Sequence, residues 1–552
     1  MCGGTPLDLL DPPSVRRRLS RVVPHWVPSV ALSKREQFLI GRMKRRGKLF
    51  AFLRLYRHEL FDNAFQSELD GMYRESGEGK QPVAPALLAM VVLLQGYTGA
   101  SDAQAVELAI VDARWQRVLG IIGEDDAPFS QGALPAFRQR LMAHDMDRRL
   151  LERTIELARN SQAFDWKKLP KELRVAIDSR PIEGAGRVED TFNLLAHAAR
   201  KLIACAARLA DVTPKEISER AGTPWLVDTS IKSALDIEWS DREQKASAIG
   251  TLVEQLDRLE QWIAKEFGSK VAESPLAEPL ATLQPLRQQD LEPDPPDNKP
   301  RIGKGTAVDR RVSVEDKDMR HGRKSKSKRF NRYKGHIASD LDTELILACG
   351  ITAANRPEAE AVPDLQTDIA LYCTRNTIAQ LSIDRGYINS PLASEVFARG
   401  GEVLCKPWVS RNGSRFPKSD FVINMRSRTL TCPNGQTESF AIGGTVEFNP
   451  IACERCPLRK QCTTAEPGYG LTVAIAHDEP LQHRLRKLIA SSKGRERLRE
   501  RVKVEHALAH LSRKQGRRAR YLGIRKNVFD LRRHAAVVNL EAIHRRELTL
   551  AA

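Results

Sequence analysis

The 552-residue sequence lacks any apolar run that approaches the roughly 18 residues needed to cross a membrane. Its first residues, MCGGTPLDLLDPPSVRRRLSRVV, contain no apolar segment followed by a small-residue cleavage site, so we expect no secretory signal. Without an export signal, the nine cysteines should lie in a reducing compartment, free or metal-bound rather than paired in disulfides. These absences favour a cytoplasmic globular protein.

The sequence also lacks a P-loop, a GxGxxG fingerprint and a GxSxG nucleophile motif, which leaves ATP-driven and acyl-transfer chemistry without support. It contains no internal repeat and no long low-complexity tract. Its length is sufficient for about two to four domains with substantial cores.

Basic residues are in excess and unevenly placed. The formal net charge is +18, and residues 481–547 contain 20 Lys or Arg against 6 Asp or Glu. Residues 320–334, RHGRKSKSKRFNRYK, contain eight basic residues and no acidic one. Such clustering indicates a polyanionic partner, most often nucleic acid, although charge alone also fits a solvated basic surface.

Residue patterns divide the chain into helical and strand-rich segments. Periodicity of 3.6 residues predicts helices in 76–165 and 192–265, and the Pro-rich segment 266–300 is typical of a linker. The predicted strands are LRVAID (173–178, followed by a turn at SRP), RYKGHIASDL, ELILACGITAAN, AQLSID (379–384) and GEVLCKPWV (401–409). Residues 410–478 contain short β-like runs, and 480–546 is predicted to be helical and basic.

Two predicted strands end in an acid of the same parity. In LRVAID the apolar side chains alternate onto one face and Asp178 falls on the other, and Asp384 has the equivalent position in AQLSID. An Asp at a strand end also fits a turn former, so either residue by itself is ambiguous.

A third acid, Glu505, interrupts an apolar helical stripe in RVKVEHALAHL. At about 100° per residue, Leu498 lies about 20° from Glu505, and Val502 and Leu508 lie about 60° to either side. We therefore expect Glu505 to face the core, although an ion pair with Arg501, four residues earlier, is an alternative reason for its position.

Converging carboxylates of this kind suit magnesium. Mg²⁺ takes few protein oxygens and completes its shell with water and phosphate oxygens, and two such ions support in-line displacement at phosphorus. Spacing alone does not exclude other acids as ligands: Glu189, Asp190, Asp309, Asp316, Asp318, Asp340 and Asp342.

Four cysteines in the β-like segment have spacing that suits a metal ion. Cys432, Cys453, Cys456 and Cys462 form the pattern C-x20-C-x2-C-x5-C. Four thiolates can bind one tetrahedral Zn²⁺ and leave no open position, so this zinc would be structural. Incidental buried cysteines are the alternative.

Several long motifs resemble the DDE transposases of bacterial insertion sequences. They are AIDSRPIEGAGRVEDTFNLL, FNRYKGHIASD, LSIDRGY and RERVKVEHALAHLSRKQGRRARYLGIRKNVFDLRRHAAVVNL, preceded by PVAPALLAMVVLLQGYTGASDAQAVELAIVDARWQRVLG and FSQGALPAFRQRL, which resemble the helical N-terminal domain of such transposases. The resemblance covers roughly 75–546.

This resemblance implies a ribonuclease H-like α/β core, with a mixed sheet flanked by helices, and a catalytic triad at Asp178, Asp384 and Glu505. It implies two Mg²⁺ or Mn²⁺ ions per active site, cleavage at transposon ends and attack of the freed 3′-OH on target DNA. It also supports the zinc-ribbon-like site. Family members often have an Arg at the position of Arg501, whereas the basic residue expected after the Glu is ambiguous, with Arg513 eight positions on.

The implied partner is double-stranded DNA, as terminal inverted repeats and as target, bound by a homodimer in the bacterial cytoplasm and nucleoid. The predicted DNA contacts are Arg329, Arg332, Lys334, Arg385, Arg501, Arg513, Arg517, Arg518, Arg520, Arg525 and Lys526. The predicted segments are a basic extension (1–75), a helical DNA-binding or dimerisation domain (76–165), the core (166–191 and 301–409), a helical insertion with linker (192–300), a cysteine-bearing β insertion (410–478) and basic C-terminal helices carrying Glu505 (479–552).

Two other functions remain open from the sequence. A ribonuclease H-like metal-dependent nuclease without strand transfer would have the same three acids. A catalytically decayed transposase that only binds DNA would keep the basic segments.

Overall fold

The structure is a computed structural model that describes residues 23–43, 47–73, 81–293, 299–323, 329–372 and 377–550, with the side chains of 329, 330, 372 and 548–550 left out. It divides into two compact units, residues up to Ala163 together with those from Ile543 onward, and Phe164–Ala542. The predicted helical N-terminal region and mixed α/β remainder are confirmed at this level. The finer segment boundaries stay predictions.

The first unit is helical. Its central helix is apolar on all sides, and its side chains from Ala86 to Leu94 are buried. Arg153 donates to the backbone oxygens of Glu59 and Leu60, so a buried guanidinium satisfies carbonyls that the end of the second helix leaves unpaired. The helices are α1 (Lys34–Arg42), α2 (Lys48–Leu60), α3 (Asn63–Asp70), α4 (Pro85–Thr98), α5 (Asp102–Val111), α6 (Ala113–Leu119), α7 (Ala133–Ala143) and α8 (Met146–Asn160).

No single helix in the described ranges is long and apolar enough to cross a membrane. The pair α4 and α5 meets the length and composition test only jointly, and the two helices bend by 101° at their junction.

The second unit is built on a six-stranded mixed sheet. Strand β3 pairs antiparallel with β1 along one edge and with β2 and β4 along the other, while β1, β5 and β6 run parallel in that order. The strands are β1 (Leu173–Glu183), β2 (Arg320–Arg323), β3 (Arg329–Asp340), β4 (Ile346–Ala353), β5 (Ile378–Ser382) and β6 (Glu402–Leu404).

A helical insertion follows β1 and forms its own apolar core around Leu202, Leu256 and Leu283. Its elements are α9 (Thr191–Ala210), α10 (Pro214–Ala221), a 3₁₀ turn (Pro224–Val227), α11 (Ile231–Leu235), α12 (Arg242–Phe267), a second 3₁₀ turn (Gly268–Ala272) and α13 (Ala277–Asp290).

Helices cover the sheet, and a small β insertion follows it. α14 packs on β4, α15 on β5 and β6, and α20 on β1 and β3. The sheet-covering elements are a 3₁₀ turn (Glu358–Ala361), α14 (Val362–Tyr372), a 3₁₀ turn (Arg385–Tyr387) and α15 (Pro391–Ala398). The insertion contains a 3₁₀ turn (Lys418–Asp420), β7 (Val422–Asn424), β8 (Thr429–Thr431), β9 (Thr437–Ser439), β10 (Thr445–Glu447), α16 (Pro450–Glu454), α17 (Arg459–Cys462) and β11 (Thr472–Ala474). The chain continues through α18 (Glu479–Ala490), α19 (Ser492–Arg499), α20 (Val502–Gln515) and α21 (Ile524–Leu550).

Two predictions about local structure are wrong. The turn expected at 179–181 does not form, because β1 continues to Glu183 in register with β3. Pro181 is tolerated there, since β5 pairs with β1 only over 173–176 and the next backbone partner on that edge, Arg518, bridges to Glu183 rather than to Pro181. The linker expected at 266–300 contains α13, whose Leu283 and Leu286 are buried in the core of the insertion.

The C-terminal segment is also less continuous than predicted. Residues 516–523, which we name the basic loop, separate α20 from α21 instead of forming helix. Gly516 and Gly523 at its two ends have φ angles of 83° and 82°, which L-residues with side chains rarely adopt, so the helix ends and restarts at these glycines.

Candidate active site

Asp178 and Asp384 occupy equivalent positions on neighbouring parallel strands. Ala176 pairs with Ser382 where β1 and β5 run side by side. Each aspartate follows two residues later, Asp178 within the longer β1 and Asp384 in the turn after β5. Because adjacent strands lie about 4.8 Å apart, this register brings the two carboxylates to one edge of the sheet.

Glu505 lies on α20, which packs on the sheet through Val504, Leu508 and Leu511. The Glu505 side chain is 47% exposed, so the prediction that it faces the core is wrong. The reason is a break in the helix: α19 ends at Arg499 and α20 begins at Val502, so angles counted from Leu498 do not carry over to Glu505. Glu505 therefore lies on a solvent-exposed side of α20 rather than on the face that packs on the sheet.

Arg501 joins two of the three acids. Its Nη1 lies 2.8 Å from Oδ2 of Asp178, and its Nη2 donates to Oε1 of Glu505 at 2.7 Å. Of the two roles considered for Arg501, the ion pair with Glu505 is present, and the contact with DNA stays a prediction.

The electrostatics of Asp178 reflect this crowding. Burial raises the pKa of Asp178 above its ordinary value, and the negative charges of Asp384 and Glu505 raise it further. Arg501 and the backbone N–H of Ser179 act in the opposite direction without cancelling the rise in the pKa. The pKa of Asp178 thus depends on the charges of both other acids, as expected for carboxylates that lie near one another.

The donor chemistry of this carboxylate site, Asp178, Asp384 and Glu505, suits a hard divalent cation. Within the described ranges, however, no group of three or more His, Cys, Asp or Glu side chains is gathered closely enough to hold a metal ion. The guanidinium of Arg501 lies against both Asp178 and Glu505. The carboxylates therefore have the right chemistry, in an arrangement that Arg501 holds closed.

Two segments of the chain match transposase families. Residues 431–544 match the family described as "Transposase DDE domain", and residues 44–140 match "Transposase domain (DUF772)". The chain is a DDE transposase. Searches of curated proteins and of solved structures returned no match.

The family assignment fixes the general chemistry of this transposase. It is an enzyme that acts on DNA, and DDE transposases use divalent metals such as Mg²⁺. The first match contains Glu505 and Arg501, and neither match contains Asp178 or Asp384. The catalytic roles of all three acids stay predictions.

Other acids that the sequence left open have protein partners in the transposase. Glu189 contacts the His197 ring at 3.0 Å, and Asp190 caps α9 and pairs with Lys232. The remaining partners are Arg320 for Asp309, Tyr333 for Asp316, the N–H of Ile524 for Asp318, Thr343 for Asp340 and Arg174 for Asp342. These contacts give each acid a structural role.

The four predicted zinc cysteines of the transposase line one small cavity of about 20 Å³, enough for roughly one water-sized particle. Cys432 lies at the tip of a hairpin, where Gly435 donates to its carbonyl, and Cys453 and Cys462 lie on α16 and α17. Burial raises the pKa of Cys462, and the charges of Cys456, Cys432 and Cys453 raise it further. The four thiols, the cysteine group, are neighbours without forming a closed metal cage.

Many predicted DNA contacts of the transposase lie on or beside the basic loop. Arg517, Arg518 and Arg520 are exposed. The loop is fixed to the end of β1, since Glu183 donates its N–H to the Arg517 carbonyl at 2.9 Å and accepts from the Ala519 N–H at 2.6 Å. Arg513 and Lys526 are exposed and Arg525 is half-buried on the flanking helices.

The remaining predicted contacts are more constrained. Arg332 pairs with Glu183 at 2.7 Å, Lys334 donates to the carbonyl of Arg356 at 2.8 Å, and Arg385 donates to the carbonyl of Pro407 at 2.8 Å. The side chain of Arg329 and residues 324–328 lie outside the described part of the structure.

Four polar residues close to the acids were missed by sequence reasoning: Ser179, His336, Glu358 and Tyr387. His336 and Tyr387 are fully buried and in contact, with His336 Nδ1 2.8 Å from the Tyr387 hydroxyl. A histidine within the otherwise apolar run GHIA, and the Tyr that ends DRGY, were the available signals.

Proposed function

We propose that this transposase cleaves DNA at the ends of an insertion sequence and transfers the freed 3′-OH to target DNA, with Asp178, Asp384 and Glu505 as its catalytic acids. The observation that carries the proposal is the shared register of Asp178 and Asp384 on parallel strands, with Glu505 linked to Asp178 through Arg501. The core is ribonuclease H-like in this proposal, supported by the sheet order β4, β3, β1, β5, β6, in which β3 alone runs opposite to the other strands.

The three carboxylates would hold two Mg²⁺ or Mn²⁺ ions. When bound, such ions activate the attacking oxygen and stabilise the leaving oxygen during in-line displacement at phosphorus. Asp178 and Asp384 are fixed by the strand and by the turn after β5, and Glu505 by a helix that packs on the sheet. Arg501 balances part of the negative charge in the arrangement described above.

The basic loop would bind the DNA backbone beside the carboxylates. The loop contacts the end of β1 at Glu183, five residues beyond Asp178, and it has three exposed arginines. Neutralising the loop as Arg517→Gln, Arg518→Gln and Arg520→Gln should weaken binding of end DNA and lower the slope of log affinity against log salt by about 3. An unchanged slope would remove the loop from the interface.

The cysteine group would bind one structural Zn²⁺ and stiffen the β insertion. Its small core of Phe421, Leu430, Phe440, Val446, Phe448 and Ile475 is too limited to fix the insertion strongly without further constraint. We also propose that two copies act together on paired DNA ends, in the bacterial cytoplasm and nucleoid.

The decisive experiment compares acid substitutions on a DNA substrate carrying the element's own ends. Asp178→Ala, Asp384→Ala and Glu505→Ala should each abolish cleavage and strand transfer while end binding is kept. Asp190→Asn, which alters an acid that caps α9, should leave both reactions intact. Cleavage that survives Asp384→Ala would overturn the assignment.

The same assay separates the rival functions. Cleavage without joining of 3′ ends to target DNA would indicate a nuclease. Binding of the ends by the unaltered chain with neither reaction, at any Mg²⁺ or Mn²⁺ concentration, would indicate a decayed DNA-binding protein.

A further inference from the structure

A buried polar cluster connects the turn that carries Asp384 to the strand that carries Asp178. Its members, which we name the polar brace, are Ser179 on β1, His336 on β3, Glu358 after β4 and Tyr387 in the turn. Ser179 and His336 are opposite each other in the β1–β3 register. The brace thus lies on the face of the sheet opposite to Asp178, one residue away from it.

Tyr387 is the centre of the brace. Its hydroxyl lies 2.8 Å from Nδ1 of His336. Burial raises the pKa of Tyr387, and its interaction with the Ser179 side chain lowers that pKa in part. The other ring nitrogen of His336, Nε2, lies 2.9 Å from Oγ1 of Thr352. Tyr387 and His336 are both 0% exposed, so their polar atoms depend on these contacts for hydrogen bonds.

Hydrogen bonds connect His336 to Tyr387 and Thr352, and Ser179 to Glu358. Burial lowers the pKa of His336 to about 3, so the ring is neutral at pH 7 and one nitrogen donates while the other accepts. Tyr387 and Thr352 therefore take opposite roles toward the ring, one hydroxyl accepting a hydrogen bond from it and the other donating to it. Ser179 Oγ donates to Oε1 of Glu358 at 3.0 Å.

Glu358 also approaches the turn closely, at Gly386. A Cβ at Gly386 would lie 1.8 Å from Oε2 of Glu358, closer than any side chain permits. Gly386 therefore lets the carboxylate reach the backbone of the turn between Asp384 and Tyr387. Two residues of the turn are thus constrained, Tyr387 by its contact with His336 and Gly386 by the close approach of Glu358.

Ser179 extends the same contacts to the first acid. Its backbone N–H donates to Oδ1 of Asp178 at 2.8 Å, while its side chain is part of the brace. One residue thus orients Asp178 and also contacts the groups that position Asp384.

We propose that the polar brace sets the relative position of Asp178 and Asp384, with Tyr387 as its main positioning residue. The inference rests on the proposed catalytic role of the two aspartates. A buried Phe would fill most of the same space without requiring polar partners, so a purely space-filling role does not account for the hydroxyl network. Geometry matters at such a site, since a displacement of about 1 Å can lower a rate by about 10²-fold.

Tyr387→Phe tests the brace by removing one hydroxyl. We expect direct Mn²⁺ binding, measured by electron paramagnetic resonance on the full chain without turnover, to weaken about tenfold. Cleavage should fall between about 10-fold and 100-fold and recover in part at high Mg²⁺, and affinity for end DNA should be unchanged.

Tyr333→Phe is the matched control. Tyr333 is also 0% exposed, and its hydroxyl donates to the buried Asp316 rather than to the brace. The two variants should lower the melting temperature comparably, and only Tyr387→Phe should lower Mn²⁺ affinity. Equal Mn²⁺ affinity in the two variants would overturn the inference.

Two further pairs keep the inference testable if Tyr387→Phe folds poorly. Ser179→Ala should weaken Mn²⁺ binding and Ser179→Thr, which keeps a hydroxyl, should restore it; failure of Thr to restore binding to a folded protein counts against the brace. Glu358→Gln retains an acceptor for Ser179 and should stay within about threefold of the parent in Mn²⁺ affinity. A loss as large as that of Asp384→Asn would make Glu358 a metal ligand and overturn its positioning role.

Failure of this inference is distinct from failure of the proposed function. If Asp384→Asn abolishes cleavage while Tyr387→Phe leaves Mn²⁺ affinity and cleavage unchanged, the brace is refuted and the catalytic acid stands. If Asp384→Asn still cleaves, both the proposed catalytic role and the inference built on it fall.

Discussion

The carboxylate site and the cysteine group differ in how far apart their residues lie in the sequence. The acids come from positions 178, 384 and 505 and meet only through strand register and the packing of α20, whereas the cysteines lie within residues 432–462. Two of the acids, Asp178 and Glu505, contact the cation Arg501, and the cysteines line a small cavity. The geometry of the carboxylate site therefore depends on how several elements pack together and on the charge of Arg501. The cysteine group depends mainly on the β insertion that contains it.

The largest expected effect falls on the carboxylate site. Asp384→Asn should lower DNA cleavage by at least about 10³-fold, because it removes the charge of a proposed ligand for the metal ions that stabilise the reacting oxygens. The side chain is exposed, so the free energy of unfolding should change little. Cleavage on end DNA and chemical unfolding are the two measurements, and a rate loss explained by unfolding would contradict the prediction.

The next effect falls on the cysteine group and should spare the chemistry of the acids. Cys456→Ser should reduce bound zinc from one ion per chain to none and weaken the β insertion by about 3 kcal/mol or more. Metal analysis and limited proteolysis within 410–478 measure this. Cys205→Ser, in α9, is the control and should retain zinc. Zinc absent from the parent chain would refute the site.

A smaller effect is expected at Arg501, the cation that contacts the carboxylate site. Arg501→Ala removes a cation that contacts Asp178 and Glu505, so Mn²⁺ should bind about tenfold more tightly. Arg513→Ala, on the exposed face of the same helix, should leave Mn²⁺ affinity unchanged. Weaker Mn²⁺ binding in Arg501→Ala would show that Arg501 organises the acids rather than occupying their site.

The smallest effect concerns stability and pH. The pKa of Asp178 is raised in the folded chain, so the folded state binds the proton more strongly than the unfolded state and stability falls as pH rises through the folded pKa. Asp178→Asn should remove this loss and raise the free energy of unfolding by about 0.5–1 kcal/mol at pH 7.

The pH series supplies the control for that prediction. Below the ordinary pKa of an aspartate, Asp178 is protonated in both states, so the advantage of Asp178→Asn should vanish there. Urea unfolding at pH 3.5 and pH 7 measures the difference. An advantage that is constant with pH would mean that ionisation of Asp178 is not its cause.

Much of the fold was predictable from residue patterns. The helices of 76–165, the strands around Asp178 and Asp384 and the β-like insertion follow from local periodicity, because each depends on side chains a few residues apart. The family resemblance of the motifs was confirmed by the transposase matches at 44–140 and 431–544. Errors came where a long-range partner decided the outcome, as for Pro181 within β1 and α13 in the insertion.

The sequence by itself determined the residue types: three acids in two strand segments and a helix, four cysteines at metal-binding spacing and a basic C-terminal segment. Only the tertiary structure decided that Glu505 is exposed, that Arg501 lies between two acids and that a buried tyrosine and histidine support the Asp384 turn. The physical reason is that periodicity reports which face of one element is apolar. Strand register, a helix break and buried hydrogen bonds depend on groups hundreds of residues apart.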